Sequence, residues 1–460
     1  MVIKAISNSL ILKYLTEPVH IAPLVVLRMV FGLVMFASII RFMLKGWIYD
    51  LYIAPKYFFT FYGFEWVRPL GELGMYFLFG LLALTSFFIL VGAFYRWSTI
   101  IFFLGFTYVE LIDKTNYLNH YYFISIISFL LIMVPAHRYF SYDVIRAPGL
   151  KVSHVERWTI LIFKIQLAIV YFYAGLAKLN YDWLFNAMPL KIWLPAKTHL
   201  PISGQFLDKI WVAYFFSWFG AIYDLSIVFF LSIRKTRAIA YFFVVIFHLT
   251  TAWMFPIGMF PYIMILITLI YFSTDFHKNV LHLLSKTFTG FHQDNINEKK
   301  KLLPTFAPAK SKIFVWVLAL HFIFQVLFPF RYLLYPGALF WTEEGFRFSW
   351  RVMLIEKAGT TFFYVEDPES GRKGEVMVGE YLTKNQEKMM ATQPDMILQF
   401  AHFLKEEYQE KGITDPKITV ESYVSLNGSG SRLFIDGTVN LAKEKESFMA
   451  KKWVLPFKNI

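Results

Sequence analysis

The stretch Tyr171–Leu184, YFYAGLAKLNYDWL, ends a long apolar run and places Lys178 at the end of it. The run starts at Trp158 and contains no acidic residue and one earlier cation, Lys164. An amine at such a helix end can lose its charge, because burial disfavours the ammonium form. The same lysine can instead anchor the helix by extending its amine into the headgroup layer. From these residues alone, Lys178 is either an anchor or a base.

The composition indicates a polytopic membrane protein. Apolar residues make up 57% and aromatic residues 20% of the 460 positions, and the mean hydropathy is +0.49. A soluble protein of this length would be far more polar. The formal charge of +13 therefore points to cytoplasmic loops and anionic lipid rather than to nucleic acid.

The chain contains no cysteine. Disulfides, thiolate catalysis, cysteine–zinc sites and iron–sulfur clusters are thereby excluded. The eleven histidines are scattered and match no metal-binding motif, so no metal site is predicted.

A membrane span needs about 20 apolar residues, and we count nine candidate stretches. They are residues 22–44, 71–95, 97–112, 119–136, 158–177, 210–233, 237–255, 258–273 and 313–330. Positive residues concentrate in the loops after the second, fourth, sixth and eighth stretches, and the last of these loops includes the basic segment 298–311. By the positive-inside rule, the N-terminal segment 1–21 is cytoplasmic and the C-terminal part lies on the other side.

From about Pro336 onward the chain becomes polar. Alternating residues predict strands, among them Arg347–Leu354 and Thr361–Val365, and a helix is predicted to begin at Pro394. A hairpin turn is predicted at Asn427-Gly428-Ser429-Gly430. We therefore expect an all-α polytopic membrane bundle of about nine transmembrane helices over 22–335, followed by a small extracytoplasmic α+β domain over 336–460.

Two segments outside the predicted spans, 46–70 and 182–200, are rich in aromatic residues and proline. Such residues settle at the headgroup level of a membrane. These segments either roof a cavity or lie on the surface as anchors.

Ionisable residues fall on the same predicted side of the membrane as Lys178. They include Asp113, His120 and His248. Charged groups at membrane depth are expensive, so they are candidates for function. Each also has a structural explanation: Asp113 can belong to a neutralised loop pair, His120 can be an interfacial histidine, and His248 can bond a neighbouring helix. The position of these residues on one side of the membrane favours a functional site but does not identify its reaction.

Three motifs carry a resemblance to a known family. They are IDKTNYLNHYYF at Ile112–Phe123, YFYAGLAKLNYDWL, and FHLTTAWMFPIGMFPYIM at Phe247–Met264. Together they resemble the vitamin K-dependent γ-glutamyl carboxylase family, whose membrane part is the HTTM domain. The resemblance continues through WTEEGFRFSWRVML at Trp341–Leu354 and KITVESYVSLNGSGSRLF at Lys417–Phe434. It extends from about residue 22 to the last residue of the sequence.

The resemblance implies a reaction and its co-substrates. Family members deprotonate a reduced naphthoquinone, which then reacts with O₂ to give a strong base. That base removes a γ-proton from a protein glutamate, the carbanion attacks CO₂, and the quinone leaves as its epoxide. Reduced vitamin K (phylloquinol or menaquinol), O₂ and CO₂ are thus the expected co-substrates. The bilayer and a glutamate-containing protein or peptide are the expected partners.

The resemblance also assigns residues. Lys178, in AGLAKL, matches the family's catalytic lysine, and His120, in LNH, matches its essential histidine. Because an acid paired with Lys178 would keep it charged, we expect Asp182 to point away from it. The expected substrate- or quinone-binding residues are Asn119, His248, Met259, Trp183 and Met353.

Compared with the animal enzymes, the sequence lacks the long further C-terminal region and the paired cysteines. We therefore expect a compact homologue in a bacterial plasma membrane, with its protein substrate unspecified. One alternative is a quinone epoxidase or oxygenase that carboxylates no protein. Another is a non-enzymatic transporter or assembly factor in which Lys178 is locked in an ion pair with no cavity beside it.

Overall fold

The computed structural model describes residues 10–201, 203–287 and 312–457. These residues form a helical region and a smaller region built around a sheet, each with its own hydrophobic core. The basic segment 298–311, predicted to be a cytoplasmic loop, lies outside the described residues.

The helical region begins with a short helix and a short strand, and the rest of it follows as helices joined by loops. Its strands, β1 (Pro18–His20) and β2 (His154–Glu156), pair antiparallel. The helices are α1 (Leu10–Thr16), α2 (Ala22–Leu44), α3 (Trp47–Tyr52), α4 (Gly71–Val91), α5 (Tyr95–Leu111), α6 (Asn119–Met133), α7 (Tyr142–Arg146), α8 (Trp158–Lys178), α9 (Tyr181–Asn186), α10 (Leu190–Trp193), α11 (Gly204–Leu207), α12 (Ile210–Ser232), α13 (Arg237–Met254), α14 (Phe260–Ile267), α15 (Thr274–Thr287) and α16 (Lys312–Leu327).

Six of the described helices are long and apolar enough to cross a membrane, so the chain is an integral membrane protein. They are α2, α4, α8, α12, α13 and the stretch Ile313–Leu334 that includes most of α16. A bent pair, Phe260–Tyr271 and Thr274–Lys286, meets at 117° and would make a seventh span if counted as one.

The expected count of nine spans is therefore not confirmed. The third and fourth predicted stretches form helices of only 17 and 15 residues, α5 and α6, which are shorter than the roughly 20 residues a bilayer needs. The eighth stretch is interrupted by the bend after Tyr271. These are the three stretches that look short or interrupted in the sequence, where Pro261 within the eighth predicts a kink.

Helices α8 and α12 pack closely, and this contact positions the residues discussed below. Gly175 of α8 makes the approach possible, because a Cβ there would lie 2.7 Å from Leu225 Cγ on α12. Real Cβ atoms do not approach other atoms so closely, so a larger residue at 175 would force the two helices apart.

The C-terminal region is a four-stranded antiparallel sheet packed against helices, as predicted. The strand order is β4–β3–β5–β6. The helix predicted from Pro394 is present and buries Phe400 and Leu404, and the hairpin predicted at Asn427–Gly430 joins β5 to β6. The elements are α17 (Leu339–Thr342), β3 (Lys357–Glu366), β4 (Lys373–Glu375), α18 (Lys384–Met390), α19 (Pro394–Glu410), β5 (Lys417–Leu426) and β6 (Arg432–Leu433).

The strand predicted over Arg347–Leu354 is wrong. Phe348, Trp350 and Met353 have φ angles of 58°, 58° and 52°, a left-handed conformation that no extended strand allows. The alternation of polar and apolar residues therefore does not mark a sheet face here. This irregular segment lies between the two regions and contributes to the site.

The aromatic segment 46–70 joins the two regions. Phe59 is fully buried in the hydrophobic core of the C-terminal region, and its ring lies 4.9 Å from that of Tyr57. Gln386 Nε2 donates to the Tyr57 carbonyl at 2.6 Å, and Gln399 Nε2 donates to the Thr60 carbonyl at 2.9 Å. This segment therefore holds the C-terminal region against the membrane helices.

Candidate active site

Two neighbouring cavities contain the residues that the sequence singled out. The first has a volume of about 410 Å³ and contains Lys178, Trp183 and His248, so we call it the Lys178 cavity. The second has a volume of about 620 Å³ and contains Asn119, His120 and Met259; we call it the His120 cavity. Both volumes fall in the range of roughly 300–1,000 Å³ typical of small-molecule sites. Met353 lines both cavities.

Lys178 is paired with an acid that sequence reasoning did not identify. Its Nζ lies 2.6 Å from Asp224 Oδ2 and also donates to the Ala174 carbonyl at 3.2 Å. Only 8% of the lysine side chain and 6% of the aspartate side chain are exposed. In such a dry place each charge offsets the cost of burying the other, because either charge alone would be costly.

Asp182 points away from Lys178, as expected. Its carboxylate accepts hydrogen bonds from Asn186 Nδ2 and Asn427 Nδ2 at 3.1 and 3.0 Å. It therefore helps tie α9 to the β5–β6 hairpin.

Trp183 forms the wall beside Lys178. Its ring lies 5.5 Å from the lysine Nζ, within the range of a cation–π contact. Its indole Nε1 donates to the Ser217 carbonyl at 2.8 Å, which fixes the ring. Leu190, Trp193 and Leu194 from the predicted interfacial segment 182–200 complete this side, so the segment encloses the cavity.

His248 also lines the Lys178 cavity. One of its ring nitrogens has no hydrogen-bond partner among the described residues. Its Nε2 is 3.0 Å from the Tyr171 hydroxyl. Its Nδ1 is buried and has no hydrogen-bond partner among the described residues. A buried polar atom without a partner is costly, so this histidine has a hydrogen-bonding capacity that its own packing does not use.

Asn119 and His120 begin helix α6 at the His120 cavity. Asn119 Nδ2 donates to the Arg351 carbonyl at 2.8 Å, and its Oδ1 accepts from the Tyr117 hydroxyl at 3.2 Å. The asparagine thus fixes the irregular segment 347–354 against α6. Among the described residues no hydrogen bond holds the imidazole of His120, which lines the same cavity.

Phe260 lies between the two histidines and separates the cavities. The centre of its ring is 5.7 Å from that of His120 and 5.9 Å from that of His248. Phe260, Ile257, Val352 and Met353 line both cavities. The predicted lysine and histidine are therefore brought to adjacent compartments that share a wall of side chains.

A charged cluster closes the His120 cavity on the side of the C-terminal region. Asp395, in the first turn of α19, binds Lys114 Nζ at 2.8 Å and Arg347 Nη1 at 2.7 Å. Burial alone would raise the pKa of Asp395, but the charges of Arg347 and Lys114 outweigh it and hold the pKa well below its usual range. The ionised cluster fixes Arg347 at the cavity.

A buried acid also lines the His120 cavity and, like Asp224, was not identified from the sequence. Glu110, on α5, is 6% exposed, and its Oε2 accepts from Ser125 Oγ at 2.9 Å. Its Oε1 has no hydrogen-bond partner among the described residues. Both Glu110 and Asp224 are lone acids within apolar runs, a signal that would have justified selecting them.

Two family models together match almost all of the chain. The model of the HTTM domain matches residues 16–276, which is more than half of the chain. The model described as "Vitamin K-dependent gamma-carboxylase, lumenal domain" matches residues 310–460. No solved structure matches the chain.

Proposed function

Since the chain belongs to the vitamin K-dependent gamma-carboxylase family, we propose that it is a membrane-embedded peptidyl-glutamate carboxylase. It couples O₂-dependent epoxidation of a reduced naphthoquinone to the carboxylation of glutamate side chains in a protein substrate. The observation that carries this proposal is the buried Lys178–Asp224 pair at the wall of an apolar cavity.

The Lys178 cavity suits a flat lipophilic substrate such as phylloquinol or menaquinol. Phe216, Phe219 and Trp193 supply aromatic surface, while Lys178 and His248 supply polar atoms. This combination of apolar walls with a few convergent polar groups is what orients a small molecule in a pocket. We propose that a quinol hydroxyl binds next to Lys178 Nζ and that the His248 ring orients the molecule.

The pair at Lys178 can accept the proton that starts the reaction. A lysine proton first moves to Asp224, which leaves the amine neutral. The O–H bond of the quinol then breaks, and its proton passes to that amine. The pair then consists of an ammonium group facing the new oxyanion and a neutral carboxylic acid. The added positive charge on the pair balances the negative charge on the quinol, and the dry site strengthens that attraction.

Exclusion of water supports the same assignment. A strong base and a carbanion persist only where water cannot protonate them. The lysine and aspartate are almost completely buried, and the segment 182–200 encloses the cavity with apolar side chains. O₂ and CO₂ are small and apolar, so they reach such a place without an aqueous channel.

We propose that the quinol enters sideways from the bilayer. Phe215 of α12 and Phe243 and Ile246 of α13 line the Lys178 cavity, yet they are exposed on the outside of the helices. A lipid-facing opening between α12 and α13 would admit the ring and leave a long hydrocarbon tail in the membrane.

The glutamate side chain is assigned to the His120 cavity. This cavity lies between the membrane helices and the C-terminal region and includes Arg347 and Lys114 among its lining residues. Cations of this kind attract carboxylates. We propose that His120 assists at the carbanion and CO₂ step. Movement of Phe260 or Met353 would join the two cavities during the reaction.

The proposed orientation places both cavities and the C-terminal region outside the cytoplasm. With an odd number of spans, as when the bent pair counts as one, the distribution of positive residues supports it, and so does the match to a family domain described as lumenal. A bacterial plasma membrane remains our proposal for the location.

The test is to supply purified protein in lipid nanodiscs with reduced vitamin K, O₂, labelled CO₂ and a glutamate-rich peptide. We expect quinone epoxide and labelled peptide from the wild type, and neither product from Lys178→Ala. Undiminished epoxide in the variant would rule out Lys178 as the base.

One observation favours a narrower function. The residues proposed to bind and deprotonate the quinol line one cavity, and Phe260 separates this cavity from the one that contains His120. The chain could therefore be a quinone epoxidase that carboxylates no protein. In that case epoxide forms in the same experiment, but no labelled CO₂ enters any peptide.

A further inference from the structure

Five large apolar side chains form an exposed patch where the two regions meet. We call it the aromatic patch; its members are Tyr62, Phe64, Trp66, Phe448 and Met449. Trp66, Phe448 and Met449 are 71%, 76% and 74% exposed. The rings of Tyr62 and Phe448 are 4.8 Å apart, so the segment before α4 and the loop 443–452 of the C-terminal region contribute to one surface.

The aromatic patch lies near the start of the membrane helix α4 and the end of the shorter apolar helix α5. Trp66 precedes the start of α4 by five residues. The carbonyl of the nearby Arg68 accepts a hydrogen bond of 2.6 Å from Tyr108, which lies in the last turn of α5. The patch is therefore at the height where a bilayer's hydrocarbon core gives way to its headgroups.

The loop 443–452 is fixed at this height by contacts at its base. The Glu446 carboxylate accepts from Gln399 Nε2 at 2.9 Å and lies 3.7 Å from Lys114 Nζ. Lys114 lies three residues after the last residue of α5. Phe448 and Met449 thus extend from a loop that is anchored close to the end of the apolar helix α5.

The patch is continuous along the chain with a lipid-facing surface. Leu70, at the start of α4, is 52% exposed, and Leu73 and Phe77 on the first turns of that helix are 86% and 71% exposed. Exposed Lys445 and Lys452 flank Phe448 and Met449. Aromatic residues beside lysines at the end of a membrane helix are what the headgroup layer accommodates.

We infer that the aromatic patch docks into the headgroup layer of the membrane that the chain spans. Phe448 and Met449 insert among the lipids, and Lys445 and Lys452 extend toward phosphate groups. The C-terminal region is thereby held to the bilayer by a second contact besides its packing on segment 46–70. This inference does not depend on the proposed reaction.

The absence of cysteine from the sequence makes a direct test possible. A nitroxide label is attached to Met449→Cys in the full-length protein in phospholipid nanodiscs. Power-saturation electron paramagnetic resonance then compares the label's accessibility to O₂, which concentrates in lipid, and to a water-soluble nickel chelate. Glu369→Cys, at an exposed turn between β3 and β4, provides the matched control position.

We expect the label at 449 to be accessible to O₂ and protected from the nickel chelate, with the opposite behaviour at 369. Adding Phe448→Asp should increase the chelate's access to the label at 449 without changing the signal at 369. Equal chelate access at both positions would overturn the inference. Protection of position 449 from both reagents would also overturn it, since the patch would then be covered by protein.

Discussion

Lys178 Nζ and Asp224 Oδ2 lie 2.6 Å apart, and the two residues belong to different membrane helices, α8 and α12. Both are buried, and their helices meet at Gly175. Loss of one partner would leave an uncompensated buried charge, which typically costs about 3–5 kcal/mol. The pair is therefore both a structural contact and the proposed proton acceptor, and mutations must separate these roles.

Replacing both partners separates the structural role of the pair from its proposed role as proton acceptor. We expect Asp224→Asn to lower the melting temperature and to reduce epoxide formation by roughly 10²–10⁴-fold, the usual contribution of a positioned acid or base. The double variant Lys178→Met/Asp224→Leu should recover most of the melting temperature, because apolar residues replace a buried pair without leaving a charge. It should form no epoxide.

These outcomes are measured by thermal unfolding in detergent and by chromatography of quinone products. If the double variant were as active as the wild type, neither residue could be the proton acceptor. If Asp224→Asn kept full activity while Lys178→Ala lost it, the lysine would act without its partner.

Gly220 provides a steric test of where the quinol binds. It lines the Lys178 cavity, and a Cβ there would lie 3.7 Å from Lys178 Cε and 3.8 Å from the Trp183 ring. Those are ordinary contact distances, so Gly220→Ala should fold and retain activity. Gly220→Leu should fill the space beside the lysine and reduce epoxide formation strongly, with little change in melting temperature.

Gly175→Ala is the matched control for this test. Its Cβ would collide with Leu225 rather than enter the cavity, so it should lower the melting temperature more than Gly220→Ala does. Normal epoxide formation by a folded Gly220→Leu protein would place the quinol elsewhere.

His120 should be needed for carboxylation and not for epoxidation. It lines the His120 cavity, whereas Lys178 lines the other, and Phe260 lies between the cavities. We expect His120→Ala to form epoxide at nearly the wild-type rate while incorporation of labelled CO₂ into peptide falls by about 10²-fold. Parallel loss of both products would show instead that His120 acts in quinol chemistry.

The sequence predicted the parts of the site that follow local rules. Hydropathy and charge indicated a membrane bundle with a small α+β domain. The neighbours of the lysine at the end of α8 singled it out as either an anchor or a base, and only the family resemblance favoured the base. Its partner, Asp224, could not be assigned in this way, because it is 46 residues away and meets the lysine only through helix packing. Asp224 is nevertheless the only charged residue in α12, which was a usable signal.

The strand prediction for Arg347–Leu354 was wrong for a different reason. Its alternation suggested a strand, but tertiary contacts override that pattern. Asn119 binds the Arg351 carbonyl, and the Trp350 ring stacks on Tyr122 with ring centres 4.9 Å apart. These contacts hold Met353 at a positive φ in the wall between the cavities. Local periodicity contains no information about such contacts.

The ion pairs of Asp395 allow a prediction about pH. Because Arg347 and Lys114 outweigh burial and hold the pKa of Asp395 well below its usual range, the stabilisation is fully present above the unfolded-state value of about 3.9. It is lost only as the pH falls through the lower folded-state value. We expect Asp395→Asn to cost on the order of 2 kcal/mol, the scale of hydrogen bonds to charged groups. This difference from the wild type should stay constant between about pH 8 and 5 and shrink only below about pH 4.

The measurement is the melting temperature of the wild type and Asp395→Asn across that pH range. Asp415→Asn is the control, since its ion pair with Lys443 is more than half exposed on both sides and should contribute almost nothing. A difference that shrank already between pH 7 and 5 would mean that Asp395 takes up its proton near neutral pH. The cluster would then be too weakly ionised to fix Arg347 at the His120 cavity, and the proposed attraction of the glutamate carboxylate would lose its structural basis.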